Sequence, residues 1–128
     1  MPTLQQIEHI HDQYGSAKTL ALYLQALHAI GVLQYDSFIK DGHSEYFCEG
    51  GEQLVSLAIY EELVVADSAN KEQLLQVLDL HKEGKTDYFT MMKGLAGSGI
   101  ERWQFDTAEQ TITYFDKAGN GLLRESIE

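Results

Sequence analysis

The sequence predicts an α+β fold in which one unit, helix-helix-strand-strand-strand, occurs twice. Apolar residues at helical spacing are followed in each half by short β-rich segments bounded by glycines. A shift of 68 residues also superposes the two halves without a gap. With 44% hydrophobic and 23% charged residues, the 128-residue chain has the composition of a globular domain that buries a core. We therefore predict a single domain over residues 1–128, with pseudo-repeats of about 1–64 and 65–128.

The first half begins with the signals of two helices. Thr3 and Gln6 form a capping-box pattern at the start of the first helix. Ser16 is placed to cap the second helix, and Gly31 is suited to the left-handed position after it. Asp41-Gly42 is a hairpin turn signal. The strands predicted in this half are residues 32–40, 44–48 and about 53–60.

The second half repeats this order of elements. Ser68 or Asn70 is predicted to cap a helix that ends near Gly84, and Thr86 is predicted to cap the next one. Three predicted strands follow, at residues 100–106, 111–115 and 122–127. We expect antiparallel strands covered on a face by the helices. The pairs that the 68-residue shift superposes include Gly31 on Gly99, Val32 on Ile100, Tyr35 on Trp103, Gly51 on Gly119 and Leu54 on Leu122.

The charge of the chain excludes several classes of partner. Nine Lys and Arg against 20 Asp and Glu give a formal net charge of −11. Nucleic acids and anionic membrane surfaces are therefore not expected as partners, because both are bound mainly through Lys and Arg. The acidity is concentrated in residues 36–62, where seven carboxylates stand against Lys40 alone.

The sequence also carries no signal for a membrane segment, a disulfide or a cofactor. No apolar run approaches the ~18 residues that span a bilayer, and the N-terminal residues do not resemble a signal peptide. Cys48 is the single cysteine, so an intrachain disulfide cannot form. We expect a cytoplasmic protein without a metal or other cofactor.

Polar and aromatic residues near predicted turns are the candidates for a ligand-binding site. His43 and Glu45 are two apart in a strand and therefore share a face. His81 lies near the end of the third helix and Asp87 near the start of the fourth. Polar recognition would fall to these side chains, with two aromatic residues, Tyr35 and Trp103, as walls. No residue is assigned a catalytic role.

Several segments together resemble a known family. They are residues 35–47 with the core Asp41-Gly42-His43-Ser44-Glu45-Tyr46, residues 81–88, and residues 114–120. In order and spacing they are similar to the YdfO-like family of small bacterial and prophage-encoded proteins, often labelled "phage envelope protein". The resemblance implies a small α+β domain of uncharacterised function, and it supplies no catalytic residues.

The functional prediction is a non-enzymatic acidic domain that binds a protein partner or a small ligand, with a phage or mobile-element origin. Self-association is compatible with the sequence. One alternative is an enzyme in which His43 or His81 acts as a general base, which would require another group to orient the ring. The other alternative is an acidic mimic of DNA that occupies a DNA-binding protein.

Overall fold

Four helices and six strands are formed by residues 2–14 and 19–127, the part of the chain that the computed structural model describes. The α+β prediction is confirmed. In chain order the elements are α1 (Leu4–Tyr14), α2 (Leu20–Ala29), β1 (Val32–Phe38), β2 (Ser44–Cys48), β3 (Gln53–Val55), α3 (Lys71–Lys82), α4 (Tyr88–Gly97), β4 (Ile100–Asp106), β5 (Thr111–Asp116) and β6 (Gly121–Ser126).

The six strands form one antiparallel sheet in the order β3-β2-β1-β4-β5-β6. Each half contributes a three-stranded meander, and the two meanders meet at the β1–β4 pair in the centre. At the midpoint of that pair, Asp36 lies opposite Gln104. The register therefore makes one continuous sheet from two consecutive stretches of the chain.

The helices cover one face of this sheet. Tyr23 of α2 packs edge-on against Tyr35 of β1, with ring centroids 6.2 Å apart. Lys82 of α3 forms an ion pair with Glu125 of β6 at 2.8 Å. Because directly paired residues of neighbouring strands share a face, the register assigns the partners of Tyr35 to this covered face as well. The covered face thus holds the aromatic core of the domain.

The opposite face carries alternate residues of the same strands, and we call it the open face. Its central residues are mostly half-buried, whereas Val55 and Arg124 near its two edges are exposed. Along one row of paired positions it presents Val55, Glu45, Asp36, Gln104, Thr113 and Arg124.

The positions of the elements follow the 68-residue shift found in the sequence. Helix α2 maps onto α4 and strand β1 onto β4, residue for residue. The register shift between Val32 and Gln34 recurs between Ile100 and Arg102. These regularities are what a duplication requires. The duplication itself stays a prediction, which a superposition of the two halves would test.

The predicted helix caps differ in their outcomes. The capping box is confirmed, since the Gln6 amide donates to Thr3 Oγ1 and the Thr3 amide donates to Gln6 Oε1. Of the two alternatives for α3, Asn70 is the cap, and its side chain accepts from the Gln73 amide. The Thr86 cap is wrong because Asp87, one residue later, caps α4. The predicted Ser16 cap lies outside the described residues.

The third strand is shorter than predicted. It spans Gln53–Val55 rather than residues 53–60, because β2 offers only a short partner. The amide of Ser56 still donates to the Ser44 carbonyl, and the chain then leaves the sheet. The long connection to α3 that results is not a strand.

Gly99 is a close-packed position at which a side chain has no room. Its φ is +82°, and an added Cβ would lie 2.6 Å from the Ser68 carbonyl oxygen and 2.7 Å from Ala69 Cα. Gly31, the equivalent position in the first half, has φ +97° but nothing closer than 3.8 Å. Both glycines have a positive φ, but only Gly99 has close neighbours, so a comparison of the two positions separates the effect of backbone strain from that of steric overlap.

We predict that Gly99→Ala lowers the free energy of unfolding by about 2–4 kcal/mol, because strain and backbone overlap both act. Gly31→Ala should cost only ~1 kcal/mol, the strain alone. Urea unfolding of both variants measures the difference. Equal losses would contradict the close approach of residues 68 and 69 to Gly99.

Candidate functional site

His43 and Glu45 are the two predicted site residues that the structure brings together. They lie on the open face at the start of β2, and Asp41 in the preceding turn joins them. His43 Nδ1 is 2.6 Å from Asp41 Oδ1, and His43 Nε2 is 3.3 Å from Glu45 Oε2. The imidazole also stacks on Phe38 of β1, with ring centroids 4.4 Å apart and planes within 3°. A histidine is therefore held in one orientation between two carboxylates.

Asp41 orients the ring, as a general base requires, but Glu45 lies at the other nitrogen, the one that would take a proton from a substrate. A neutral imidazole has one N–H, so only the protonated ring donates to both carboxylates. Each ring nitrogen already faces a carboxylate, and the side chain of His43 is 18% exposed. The geometry therefore does not support a general-base role for His43.

Asp41 holds the turn together through its side chain. Oδ1 accepts from the backbone amide of His43 at 3.0 Å, in addition to contacting the ring. Desolvation acts to raise the pKa of Asp41, but the hydrogen bonds from the His43 amide and ring outweigh it and lower the pKa. The carboxylate form is thus the one that the folded turn stabilises.

Tyr35 and Trp103 lie on the covered face, so the sheet separates them from His43. Tyr35 is 6% exposed and stacks on Phe105 at 4.4 Å, and burial raises the pKa of its hydroxyl far above the usual range. Trp103 packs against Phe105 and Tyr114. Strand alternation explains the separation, since side chains in β1 point to opposite faces at successive positions. The six candidates do not form one cleft.

His81 and Asp87 lie at helix ends, away from the His43 cluster. His81 Nδ1 is 3.1 Å from the Thr86 carbonyl oxygen. The Asp87 carboxylate accepts from the Thr90 amide at 2.7 Å, and the hydrogen bonds with Thr90 lower its pKa. His81 thus contacts the backbone of the turn between α3 and α4, and Asp87 caps the start of α4.

A surface that the sequence reasoning missed lies next to the His43 cluster. It is the connection after β3, residues 56–65, which we call the linker loop. Three of its apolar side chains are exposed: Leu57 at 87%, Ile59 at 62% and Val64 at 91%. The apolar residues up to Tyr60 predict a strand, and the pair Glu61-Glu62 indicates only where that strand would end. The sequence carries no signal that residues 56–60 leave the sheet.

The linker loop is attached to the turn that holds Asp41. The amides of Ile59 and Tyr60 donate to the Asp41 carbonyl, and the amide of Leu63 donates to the Lys40 carbonyl. The hydroxyl of Tyr60 donates to the Ile39 carbonyl at 2.6 Å. The exposed apolar residues are therefore presented by a backbone with fixed hydrogen bonds.

Gly42 makes this attachment possible. Its φ is +76°, and a Cβ there would lie 2.4 Å from Ile59 Cγ1 and 2.8 Å from Tyr60 Cε2. Only glycine allows the loop to pack this closely on the turn.

The surface beside the loop is concave only to a small degree. A shallow depression of about 350 Å³ is lined by part of the loop together with Lys40, Glu101 and Lys117. Among the described residues, no three His, Cys, Asp or Glu side chains are grouped so that they could hold a metal ion. In the same part of the chain, none of the helices has the length and apolar character needed to cross a membrane.

We predict that Asp41→Asn lowers the free energy of unfolding by about 1–2 kcal/mol at pH 7, because a charged hydrogen-bond acceptor of the turn is lost. The folded pKa of Asp41 is lowered from 3.8, so its contribution is present above that pH and is lost as the pH falls through the folded value. The difference between wild type and variant should therefore shrink between pH 7 and pH 3, as measured by urea unfolding.

The control for this experiment is Glu61→Gln, which removes an exposed carboxylate. It should leave stability within ~0.5 kcal/mol of wild type at both pH values. A wild-type advantage over Asp41→Asn that increases on acidification would contradict the assignment.

The comparisons with known proteins identify the family and not an activity. No curated protein matches the chain. One family model matches, described as a protein of unknown function (DUF1398), and it covers residues 8–126, from α1 through the last residue of β6. The YdfO-like resemblance and the phage association are not part of that match and stay predictions. The chain belongs to the DUF1398 family of proteins of unknown function.

Proposed function

We propose that this protein is a non-enzymatic binding domain, and that its linker loop binds a basic, amphipathic segment of a partner protein. The observation that carries the proposal is the exposure of three apolar side chains in a hydrogen-bonded loop flanked by carboxylates. Isolated exposed apolar residues are normal, but a group of them rimmed by polar residues is typical of an interaction site.

The apolar part of the surface comes from one short stretch of chain. Leu57, Ile59 and Val64 have exposed fractions between 62% and 91%. Phe89 of α4 is 40% exposed and contacts Tyr60 of the loop edge to face, which extends the apolar surface towards the helices. A partner that covers these side chains gains the free energy of removing them from water.

The charge of the loop determines which partner fits. Glu61 and Glu62 are exposed, and Glu52 is half-buried just before β3. Residues 52–64 contain no Lys or Arg. Lys40 and Lys117 line the depression on one side of the loop, so Lys and Arg on a partner would be attracted at Glu61 and Glu62 themselves. An amphipathic segment, with one basic face and one apolar face, matches both the carboxylates and the exposed apolar side chains of the loop.

The conformation of the loop is also fixed before a partner binds. Its amides are bonded to the Asp41 and Lys40 carbonyls, so less conformational entropy is lost when a partner binds. In this view the Asp41–His43–Glu45 cluster positions the loop by stiffening the turn that carries it. This role explains an oriented histidine without requiring a reaction.

The geometry favours a protein partner over a small ligand or a substrate. Beside the loop the surface offers a shallow depression rather than an enclosed pocket, whereas small-molecule sites usually enclose most of the ligand. A DNA-binding protein with a basic surface is one form that the partner can take. The YdfO-like resemblance, and with it a phage or mobile-element origin, remains part of the proposal.

We predict that a synthetic helical peptide of Leu and Lys binds the wild-type protein, and that the corresponding Leu and Glu peptide does not. Glu61→Lys should weaken binding of the Leu/Lys peptide about tenfold, because attraction becomes repulsion. Leu57→Ser should weaken it to a similar extent by removing apolar contact area. Isothermal titration calorimetry at low and high salt measures these effects.

Matched controls separate the loop from the acidity of the whole chain. Glu109→Lys changes the net charge equally at an exposed position outside the loop, and Leu22→Ser removes a half-exposed leucine from α2. Both should bind the Leu/Lys peptide within ~2-fold of wild type. If Glu61→Lys and Glu109→Lys weaken binding equally, peptide binding depends on the net charge of the protein and not on the loop, and the proposal is wrong.

A further inference from the structure

The outer edge of β3 carries backbone groups that the sheet leaves unpaired. β3 is the last strand on its side of the sheet, and the amide of Ser56 just after it donates to the Ser44 carbonyl of β2. Bonded and non-bonded residues alternate along an antiparallel pair, so Leu54 also bonds to β2. The N–H and C=O groups of Gln53 and Val55 therefore point away from β2. Within the described residues, no strand pairs with them on that side.

β3 lacks most of the features that protect an exposed sheet edge. Native edges are commonly blocked by charged side chains, Pro, a bulge or a short strand. The opposite edge, β6, carries the exposed Arg124 and a register shift against β5. β3 is short, but it contains no charged residue, no Pro and no register shift, and Val55 is 52% exposed. β3 is therefore the edge at which another chain can pair.

The exposed apolar side chains continue from this edge into the linker loop. Val55, Leu57 and Ile59 occur at every second position, with exposed fractions of 52%, 87% and 62%. Because Ser56 is still bonded to β2, Leu57 directly follows the edge. A segment that pairs with β3 and runs past its end would meet Leu57 next. The edge and the loop thus form one continuous surface.

The charge around the edge favours a basic segment over a second copy of the chain. Residues 41–70 contain no Lys or Arg and seven carboxylates: Asp41, Glu45, Glu49, Glu52, Glu61, Glu62 and Asp67. Lys40 and Lys117 line the depression beside residues 62–65, at the end of the loop remote from β3 in the chain. Two copies paired through β3 would bring their acidic stretches together, which like-charge repulsion opposes.

We propose that the basic segment of the partner binds in an extended conformation, as a seventh strand antiparallel to β3. The inference rests on the proposed function, because it concerns the same partner segment. Strand addition to a sheet edge gains affinity from main-chain hydrogen bonds and specificity from alternate side chains. It therefore uses the free groups of Gln53 and Val55 together with the exposed side chains beside them.

The register defines which segment fits. A residue directly opposite Val55 shares the open face with it, so an apolar side chain is suited to that position. The neighbouring residues of the added strand then lie on the other face, on the side of Glu52, whose backbone is extended. Lys or Arg at those positions would approach a carboxylate. A segment of alternating Lys and Val matches both faces.

Substitutions at Val55 test the pairing with a synthetic peptide of alternating Lys and Val. Val55→Pro removes an outward amide and no bond to β2, and proline is tolerated at such edge positions. We expect Val55→Pro to bind this peptide at least ~10-fold more weakly than Val55→Ala, which keeps the amide. The two variants should bind the helical Leu/Lys peptide within ~2-fold of each other, because a helix bonds its own backbone groups. Isothermal titration calorimetry measures the affinities, and circular dichroism establishes that both variants are folded.

Two N-methylated forms of the Lys/Val peptide test the same pairing on the wild-type protein. Opposite Val55 and Gln53, the amides of the Val residues face β3, so their methylation should weaken binding at least ~10-fold. The amides of the Lys residues face away from β3, and an equal number of methyl groups there should change the affinity less than ~3-fold.

The outcomes separate strand addition from the proposed function. Equal affinities of Val55→Pro and Val55→Ala for the Lys/Val peptide, or equal losses for its two methylated forms, overturn strand addition. Neither result affects the loop site, which is tested by Leu57→Ser and Glu61→Lys with the Leu/Lys peptide. If those two variants bind the Leu/Lys peptide as tightly as wild type, the proposed function fails instead.

Discussion

The pairing of β1 with β4 is the interaction on which the rest of the structure depends. Each half of the chain supplies only a three-stranded meander with two helices on one side. Five directly opposed residue pairs, from Gln34 with Asp106 to Phe38 with Arg102, join the two meanders into one sheet. Tyr35 stacks on Phe105 across this seam at 4.4 Å, so the seam is also the centre of the aromatic core. Without it, β1 and β4 would be edge strands whose backbone N–H and C=O groups lack partners on one side.

This seam also decides where functional surfaces can lie. The helices pack on the side of Tyr35, which buries that side and leaves the other face to half-exposed side chains. The chain must then pass from the first half to the second, and it does so through the linker loop. The loop therefore lies at the end of the sheet, against the Asp41–Gly42 turn, where Ile59 and Tyr60 bond to the Asp41 carbonyl. The position of the linker loop is a consequence of building one sheet from two consecutive units.

The local distribution of charge determines which kind of partner suits the linker loop. Glu61 and Glu62 are the charged residues of the linker loop, which contains no Lys or Arg, so this surface suits a basic segment of another protein. The net charge of −11 is thus unevenly distributed, and the proposal for the linker loop depends on this local pattern rather than on the total.

The sequence by itself determined the element order, the capping box of Thr3 and Gln6, and the common face of His43 and Glu45, because these depend on neighbours within a few residues. It also indicated which residues recur after 68 positions. Only the tertiary structure decided that Asp41 completes the His43 cluster, that the sheet separates Tyr35 and Trp103 from it, and that β3 ends at Val55. These outcomes depend on register and on which face the helices cover. Both are set by contacts between residues far apart in the chain, which local periodicity does not specify.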